Sequence, residues 1–351
     1  MANKYWVGGT GNWNSTNTTN WSDTSGGSGG ASLPAAGDNI IFNANSGSAN
    51  YTVTFDGSWD LTPGDVTMSN PTGGVLTLVG SYANFYIGGN LTISSGVVTT
   101  GLVATFYNTV PVTATTNGVL LAYLVVNGTS TVTLGSALNV SNWTVYTGTF
   151  NSGNFNITAS VFYGGNPGGS IRTVSLGSST VTMTGGGTNA WRCQYGSADL
   201  TFNSGTSTIN FTNAGAPYPE FHGGGKSYAT VNVSGLGLII SENNTFSTLA
   251  NTVSPATITF TSGSTQTFTN FNLSGSSASN LVTLNSTTAG TAATLSKSSG
   301  TVVCNYLSVR DSTVTGGASW NAANSTDVSN NTGWLWTNVL STTSDNFFRM
   351  F

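Results

Sequence analysis

ATITFTSGSTQTFTNFNLSGSSASNLVTL, residues 256–284, contains three short strands joined by polar corners. In ATITF (256–260), FNL (271–273) and LVTL (281–284), apolar residues alternate with Thr or Asn. That period of two is the pattern of a sheet buried on one face. TSGS (261–264) and LSGSS (273–277) supply Gly and Ser where tight corners demand them, because Gly reaches positive φ without steric cost and Ser bonds its own backbone. Ile258, Phe271 and Leu284 fall thirteen residues apart.

Outward from this stretch the texture barely changes. YTVTF (51–55), VLTL (75–78), TVTL (131–134), STVTM (179–183), STINF (207–211) and TVNV (230–233) repeat the alternation, and Val132 and Val145 repeat the thirteen-residue interval. β-branched residues at alternate positions suit a half-buried strand, and no window places helix formers at helical spacing. Short strands and corners continuing for about 250 residues predict an all-β solenoid. A sandwich has longer strands and a domain boundary about every 100 residues.

Each coil of a solenoid leaves a strand edge unpaired until the next coil covers it, so both ends need lids. Six of the nine tryptophans lie in two end segments, YWVGGTGNWNSTNTTNW (5–21) and SWNAANSTDVSNNTGWLW (319–336). Trp6, Trp13 and Trp21, and at the other end Trp320, Trp334 and Trp336, are expected to close the terminal coils with flat indoles. The expected organisation is a Trp-rich cap and attachment module over 1–50, the solenoid over 51–311, and a C-terminal cap with an aromatic tail over 312–351. Roughly 20–25 residues per coil predict around eleven coils and a rod of about 50–55 Å at the strand spacing.

Charge is scarce. Seven Lys or Arg and eleven Asp or Glu make 5% of the chain charged, where roughly a quarter is usual. Lys4, Arg172, Arg192, Lys226, Lys297, Arg310 and Arg349 are scattered, with no patch for phosphate, which argues against nucleic acid as a partner. No apolar run is long enough for a signal peptide or a membrane-spanning helix, so neither ordinary export nor membrane insertion is expected. Cys193 and Cys304 have no CxxC or metal spacing and read as two thiols, a single bridge between them being the alternative.

The order of these pieces resembles that of β-helical surface proteins of tailed bacteriophages, with related versions in bacterial adhesins. The N-terminal YWVGGTGNWNSTNTTNWSDTSGGSGGASLPAAGDNIIF (5–42) carries the likeness at one end. GGGKSYATVNVSG, NNTFSTLANT, ATITFTSGSTQTFTNFNLSG and NSTDVSNNTGW, in that order, carry it at the other. The likeness covers roughly the first 55 and last 130 residues, and the middle more loosely. It implies a right-handed parallel β-helix on a virion, made in the host cytoplasm and released by lysis. A homotrimer is expected by analogy with elongated phage appendages on three-fold or six-fold tails. FFRMF (347–351) is read as a plug or a trimer contact.

Many β-helices on phage tails cleave polysaccharide, which takes two carboxylates about 5–10 Å apart, one with a raised pKa. Asp56, Asp60 and Asp65 are closest in sequence, and Asp199, Glu220 and Glu242 would align across coils stacked at about 4.8 Å. Neither set sits in a recognisable motif, so turn and solvating roles are expected and no catalytic residue is assigned. His222, in PEFHGGGKSY, is the one histidine. With no nucleophile and no orienting group in view, it reads as a polar residue at a Gly-rich corner. GGNPGGS (164–170) and GGGTN (185–189) read as corners, because neither opens a helix nor carries GK[ST]. NSTDVSNN (324–331) has oxygens enough for a hard cation but lacks Asp-x-Asp spacing, so no metal and no cofactor is expected.

The best binding candidate is Trp191, Tyr195, Tyr218, Phe221 and His222, with Arg192 nearby, in the least regular stretch of the middle. Aromatics on loops that project from a rigid scaffold stack on sugar faces. The alternative is that the same rings pack onto the coil. The functional expectation is a non-enzymatic virion protein, a tail fibre or spike-type adhesin that contacts host surface polysaccharide and other virion proteins. A capsid decoration protein and a polysaccharide-degrading tailspike are the alternatives.

Overall fold

The computed structural model describes residues 1–55, 61–80, 84–165 and 170–337. Asp56, Asp60, the centre of GGNPGGS (166–169) and the tail from 338 to 351, with its FFRMF end, lie outside the described residues. Strands occupy 51% of the chain and helix about 1%, and the strands stack as a parallel β-solenoid of about 13 turns.

One coil shows how the sequence makes the turn. Thr131–Leu134 lies on a first face. Leu138–Val145 follows and changes its inward phase at Ser141 and Asn142, both half-buried. Its first half, Leu138 to Val140, therefore pairs on a second face and Asn142 to Val145 on a third. Gly148–Asn151 then returns above Thr131–Leu134. On the first face Val132 sits under Phe150, Phe150 under Val174 and Val174 under Phe202, so successive coils take 18, 24 and 28 residues. Ile258 stacks under Leu284, whereas Phe271 stacks on Leu249. The thirteen-residue interval is thus a step between faces, and a coil is about two such steps.

Inward residues form one continuous lumen core that runs from Trp6 to Trp334. Each fully buried Val, Leu, Ile or Phe contributes about 1.5–3 kcal/mol relative to exposure. Through the middle the filling is aromatic. Trp143, Phe162, Trp191, Phe221, Phe246 and Phe268 follow one another up the axis with ring centroids 4.2–6.4 Å apart. Outward residues stack just as regularly. Thr149, Thr173 and Thr201 form one column, and Thr208, Thr230 and Thr248 another. This geometry accounts for the low charge: an ionised side chain repeated in such a column would repel its neighbour at every step, whereas threonines pack and hydrogen-bond. Corners carry the glycines. Gly177 and Gly205 stack with φ of 54° and 57°, and a Cβ on Gly205 would lie 2.3 Å from the Gly177 carbonyl oxygen.

Both ends are filled by indoles, as expected of caps. Trp6, Trp13 and Trp21 are buried edge-to-face against one another and against Phe42. Asn3–Trp6 pairs in parallel with Asn39–Phe42 on one side and, in the one antiparallel ladder between named strands, with Trp21–Ser22 on the other. Lys4 anchors this reversal by reaching Asp23 at 2.6 Å and Ser32 at 2.7 Å. At the far end Trp320 and Trp334 are buried edge-to-face and Trp336 stacks on Trp334. The cap segments are themselves coils, which helps to explain why the turns number about 13 and not eleven.

Candidate functional site

Over most of the third face the outward residues are small and polar. Between the strand Asn84–Ile87 and the strand Trp191–Arg192 they become aromatic. One column reads Tyr86, Thr105, Val125, Thr144, Tyr163, Arg192, and a second, two residues earlier on each strand, reads Val103, Tyr123, Asn142, Val161. Tyr107, Asn127 and Tyr146 follow these strands and add a third flank. Tyr86, Val103, Thr105, Tyr107, Tyr123, Val125, Asn127 and Tyr146 line a depression of about 430 Å³. Tyr146, Tyr163, Asn142, Thr144, Val161, Asn189 and Arg192 line a second, of about 250 Å³. Tyr146 borders both, so the two form one groove that crosses six coils, about 24 Å along the axis at the strand spacing.

The walls are ordered by ring contacts. Tyr86 meets Tyr107 edge-to-face at 5.1 Å, and the Asn127 amide donates to the Tyr107 hydroxyl at 2.7 Å. Tyr163 lies 6.3 Å from both Tyr146 and Tyr195. The Arg192 guanidinium sits over the Tyr195 ring at 4.9 Å and the Tyr163 ring at 5.9 Å, donating to the Tyr195 hydroxyl and to Asn189 Oδ1. Tyr107, Tyr146 and Tyr195 are about two-fifths exposed (44%, 38% and 41%). Val103–Phe106 is buried on both faces, its inner side by the lumen and its outer side under the tyrosines. Thr105 forms part of the floor, and its buried hydroxyl has no hydrogen-bond partner. Burial, followed by the neighbouring Tyr163 and Tyr123, pushes the Tyr146 phenol up, so its hydroxyl stays neutral and donates as well as accepts. Rings with flat exposed faces, flanked by Asn, Thr and phenol hydroxyls, suit a ligand with apolar faces and hydroxyl edges.

One rung beyond Arg192 lies His222. Its Nε2 is 2.9 Å from Glu220 Oε2 and its Nδ1 3.1 Å from Glu242 Oε1. Glu242 occupies a corner at φ 63°, and its other oxygen accepts from the Gly224 amide at 3.3 Å. Only the doubly protonated imidazolium donates to both carboxylates. The bond to Glu242 and then that to Glu220 raise the His222 pKa against the opposing effect of burial. The cluster is a cross-coil tie with both ring nitrogens occupied. Glu220 and Glu242 thus come together as expected, but around the histidine. Asp199 lies apart, on the Ser197–Asp199 turn that leads into the first face.

Of the five residues expected to bind, the structure places one, Tyr195, at the groove. Trp191 and Phe221 are corrected to core: both are fully buried rungs of the aromatic ladder, out of reach of any ligand. Tyr218 packs onto the coil, its ring lying over Gly237, where a Cβ would come within 2.8 Å. His222 is engaged in the tie. Tyr86, Tyr107, Tyr123, Tyr146 and Tyr163 were missed. Their recurrence every 16 to 23 residues, close to one coil, was the available signal.

Cys193 and Cys304 are free and buried, each pushed up to about 12 by burial. No cluster of three or more His, Cys, Asp or Glu fit for a metal occurs among the described residues. In NSTDVSNN the Asp327 carboxylate accepts from Asn331, whose own oxygen accepts from the Ser312 amide. Among the described residues no helix is long and apolar enough to cross a membrane. Compared with protein-family models, curated proteins and solved structures, the chain matches none.

Proposed function

We propose that this chain is a bacteriophage virion surface protein of the tail fibre or spike kind, which holds host surface polysaccharide in the tyrosine groove. The observation that carries the reading is the groove itself: six tyrosines brought to one face of a rigid rod whose other outward columns are threonine and asparagine. Stacking on sugar faces and hydrogen bonding to sugar hydroxyls use those side chains together. The likeness of both end segments to phage β-helical proteins supports placement on a virion, beside other virion proteins and as a homotrimer. The closed Glu220–His222–Glu242 tie favours binding over cleavage, because neither ring nitrogen is left to move a proton.

The test is binding of the purified protein to an array of capsular and lipopolysaccharide oligosaccharides, with Tyr107→Ala and Tyr146→Ala as controls. Retention that both substitutions weaken supports the reading, and a folded protein that retains none of them overturns it. Cryo-EM of the particle tests the location: density for this chain on the capsid lattice would remove the tail assignment.

A further inference from the structure

The groove is chemically lopsided. From Tyr86 to Val161 its lining is uncharged, and at the end where Asn189 and Tyr163 meet it carries one cation, Arg192. A guanidinium on a protein with seven cations in all is a rare placement. Among the described residues no carboxylate lies within ion-pair distance of Arg192. The described ion pairs use Lys4, His222 and Arg310 instead. The adjacent acidic groups, Glu220 and Glu242, are engaged by His222. Of the five N–H donors of Arg192, one is given to Asn189 and one to Tyr195, both neutral acceptors on the same stretch of chain, and Nε has no partner. The side chain is held flat between two tyrosine faces, so its fork is oriented before any ligand arrives.

The loop that carries Tyr195 is fixed just as firmly. Arg172, fully buried, donates to the carbonyls of Gly164, Ser170, Tyr195 and Gly196 at 2.6–2.8 Å. Lys226 donates to the carbonyls of Ser197 and Leu200. Two further cations are therefore spent on backbone oxygens so that Tyr195, and with it the Arg192 fork, stays in place.

We infer that the groove is selective for acidic polysaccharide: the tyrosine-lined stretch takes the neutral sugar faces, and Arg192 receives a sugar carboxylate of the uronic-acid class at the groove's end. This rests on the polysaccharide-binding reading above. A planar carboxylate matches the guanidinium fork, and a charge-assisted bond there is stronger than the neutral bonds along the rest of the groove.

The experiment measures affinity calorimetrically for a panel of uronate-containing oligosaccharides and for the same oligosaccharides with carboxyls reduced to primary alcohols. Wild type, Arg192→Gln and Tyr146→Ala are compared, with the fold of each checked by circular dichroism. Wild type should bind at least one acidic oligosaccharide about tenfold or more tightly than its reduced form, a ratio worth about 1.4 kcal/mol. Arg192→Gln should abolish that ratio while leaving affinity for the reduced form within about twofold. Added salt should erode the ratio in wild type alone. Tyr146→Ala should weaken both forms and keep the ratio. Equal affinity of wild type for the two forms, or a ratio that survives Arg192→Gln, overturns the role of Arg192 and leaves polysaccharide binding standing. Failure of folded wild type to bind either form of any member overturns both.

Discussion

The third face of the solenoid is built twice over from the same plan. In its lower part, Ala104, Phe106, Leu124, Val126, Trp143 and Phe162 point inward, while tyrosines and one arginine point outward. In its upper part, over Gly237–Ser241, Ala256–Phe260, Val282–Ser286 and Leu307–Arg310, Leu238, Ile240, Ile258, Phe260, Leu284 and Val309 point inward just as regularly. There the outward columns are chiefly threonine, asparagine and serine, as in Thr257, Thr283 and Ser308, or Thr259 and Asn285. The backbone ladder is the same in both. Inward residues hold the rod together, and outward ones are free to specialise without altering it.

The sharpest way to break that division is through the lumen. Trp191→Ala should cost about 3–5 kcal/mol, the usual loss for a large buried aromatic, because Trp191 is packed between Phe162 and Phe221 in the ladder. Denaturant unfolding followed by circular dichroism measures it, and a loss below 1 kcal/mol would mean that the lumen does not carry the stability. Next comes Arg172→Met, which strands four buried carbonyl oxygens and should cost about 2–3 kcal/mol. Hydrogen exchange should quicken at residues 195–200 in that variant before it does so elsewhere.

Substitutions on the outer face should separate binding from stability. Tyr107→Ala and Tyr146→Ala should each weaken oligosaccharide binding about three- to tenfold, while stability stays within about 0.5 kcal/mol of wild type. Thr259→Ala on the upper part of the same face should change neither quantity, and a binding loss there equal to that at Tyr146 would erase the distinction between the two parts.

A smaller effect is expected with pH. The folded His222 pKa lies above its unfolded value, raised chiefly by Glu242 and then Glu220. The tie's stabilisation is therefore fully present below the unfolded pKa, near 6.5, and is lost as pH rises through the folded value. Unfolding curves from pH 5 to pH 9 should show that decline, and His222→Gln should flatten it. Smallest of all, Cys193 and Cys304, with pKa values about 12, should not react with iodoacetamide until the chain is unfolded.

The strands were legible from alternation alone. ATITF is the strand Ala256–Phe260 and YTVTF the strand Tyr51–Phe55. The end tryptophans were legible too, since a stack of open edges requires closure. The groove was not, for a physical reason: its tyrosines span residues 86 to 195, and their meeting depends on coils of unequal length that no local pattern reveals. Trp191 and Phe221 misled in the opposite sense. Their Gly- and Pro-rich neighbours look like a projecting loop, yet the parallel pairing of Trp191–Arg192 with Glu220–His222 turns both rings inward. His222 looked solitary because Glu242, which holds its Nδ1, is one coil away.

The reversed strand Trp21–Ser22 has a consequence for what many copies of this molecule can become. A filament grown by joining solenoids end to end needs every terminus to present a like-directed seam to the next copy. Here the first rung is already occupied by two residues running the opposite way, so concatenation stops at the foot of each rod. The length of the finished object is then counted out by the coils written into a single chain.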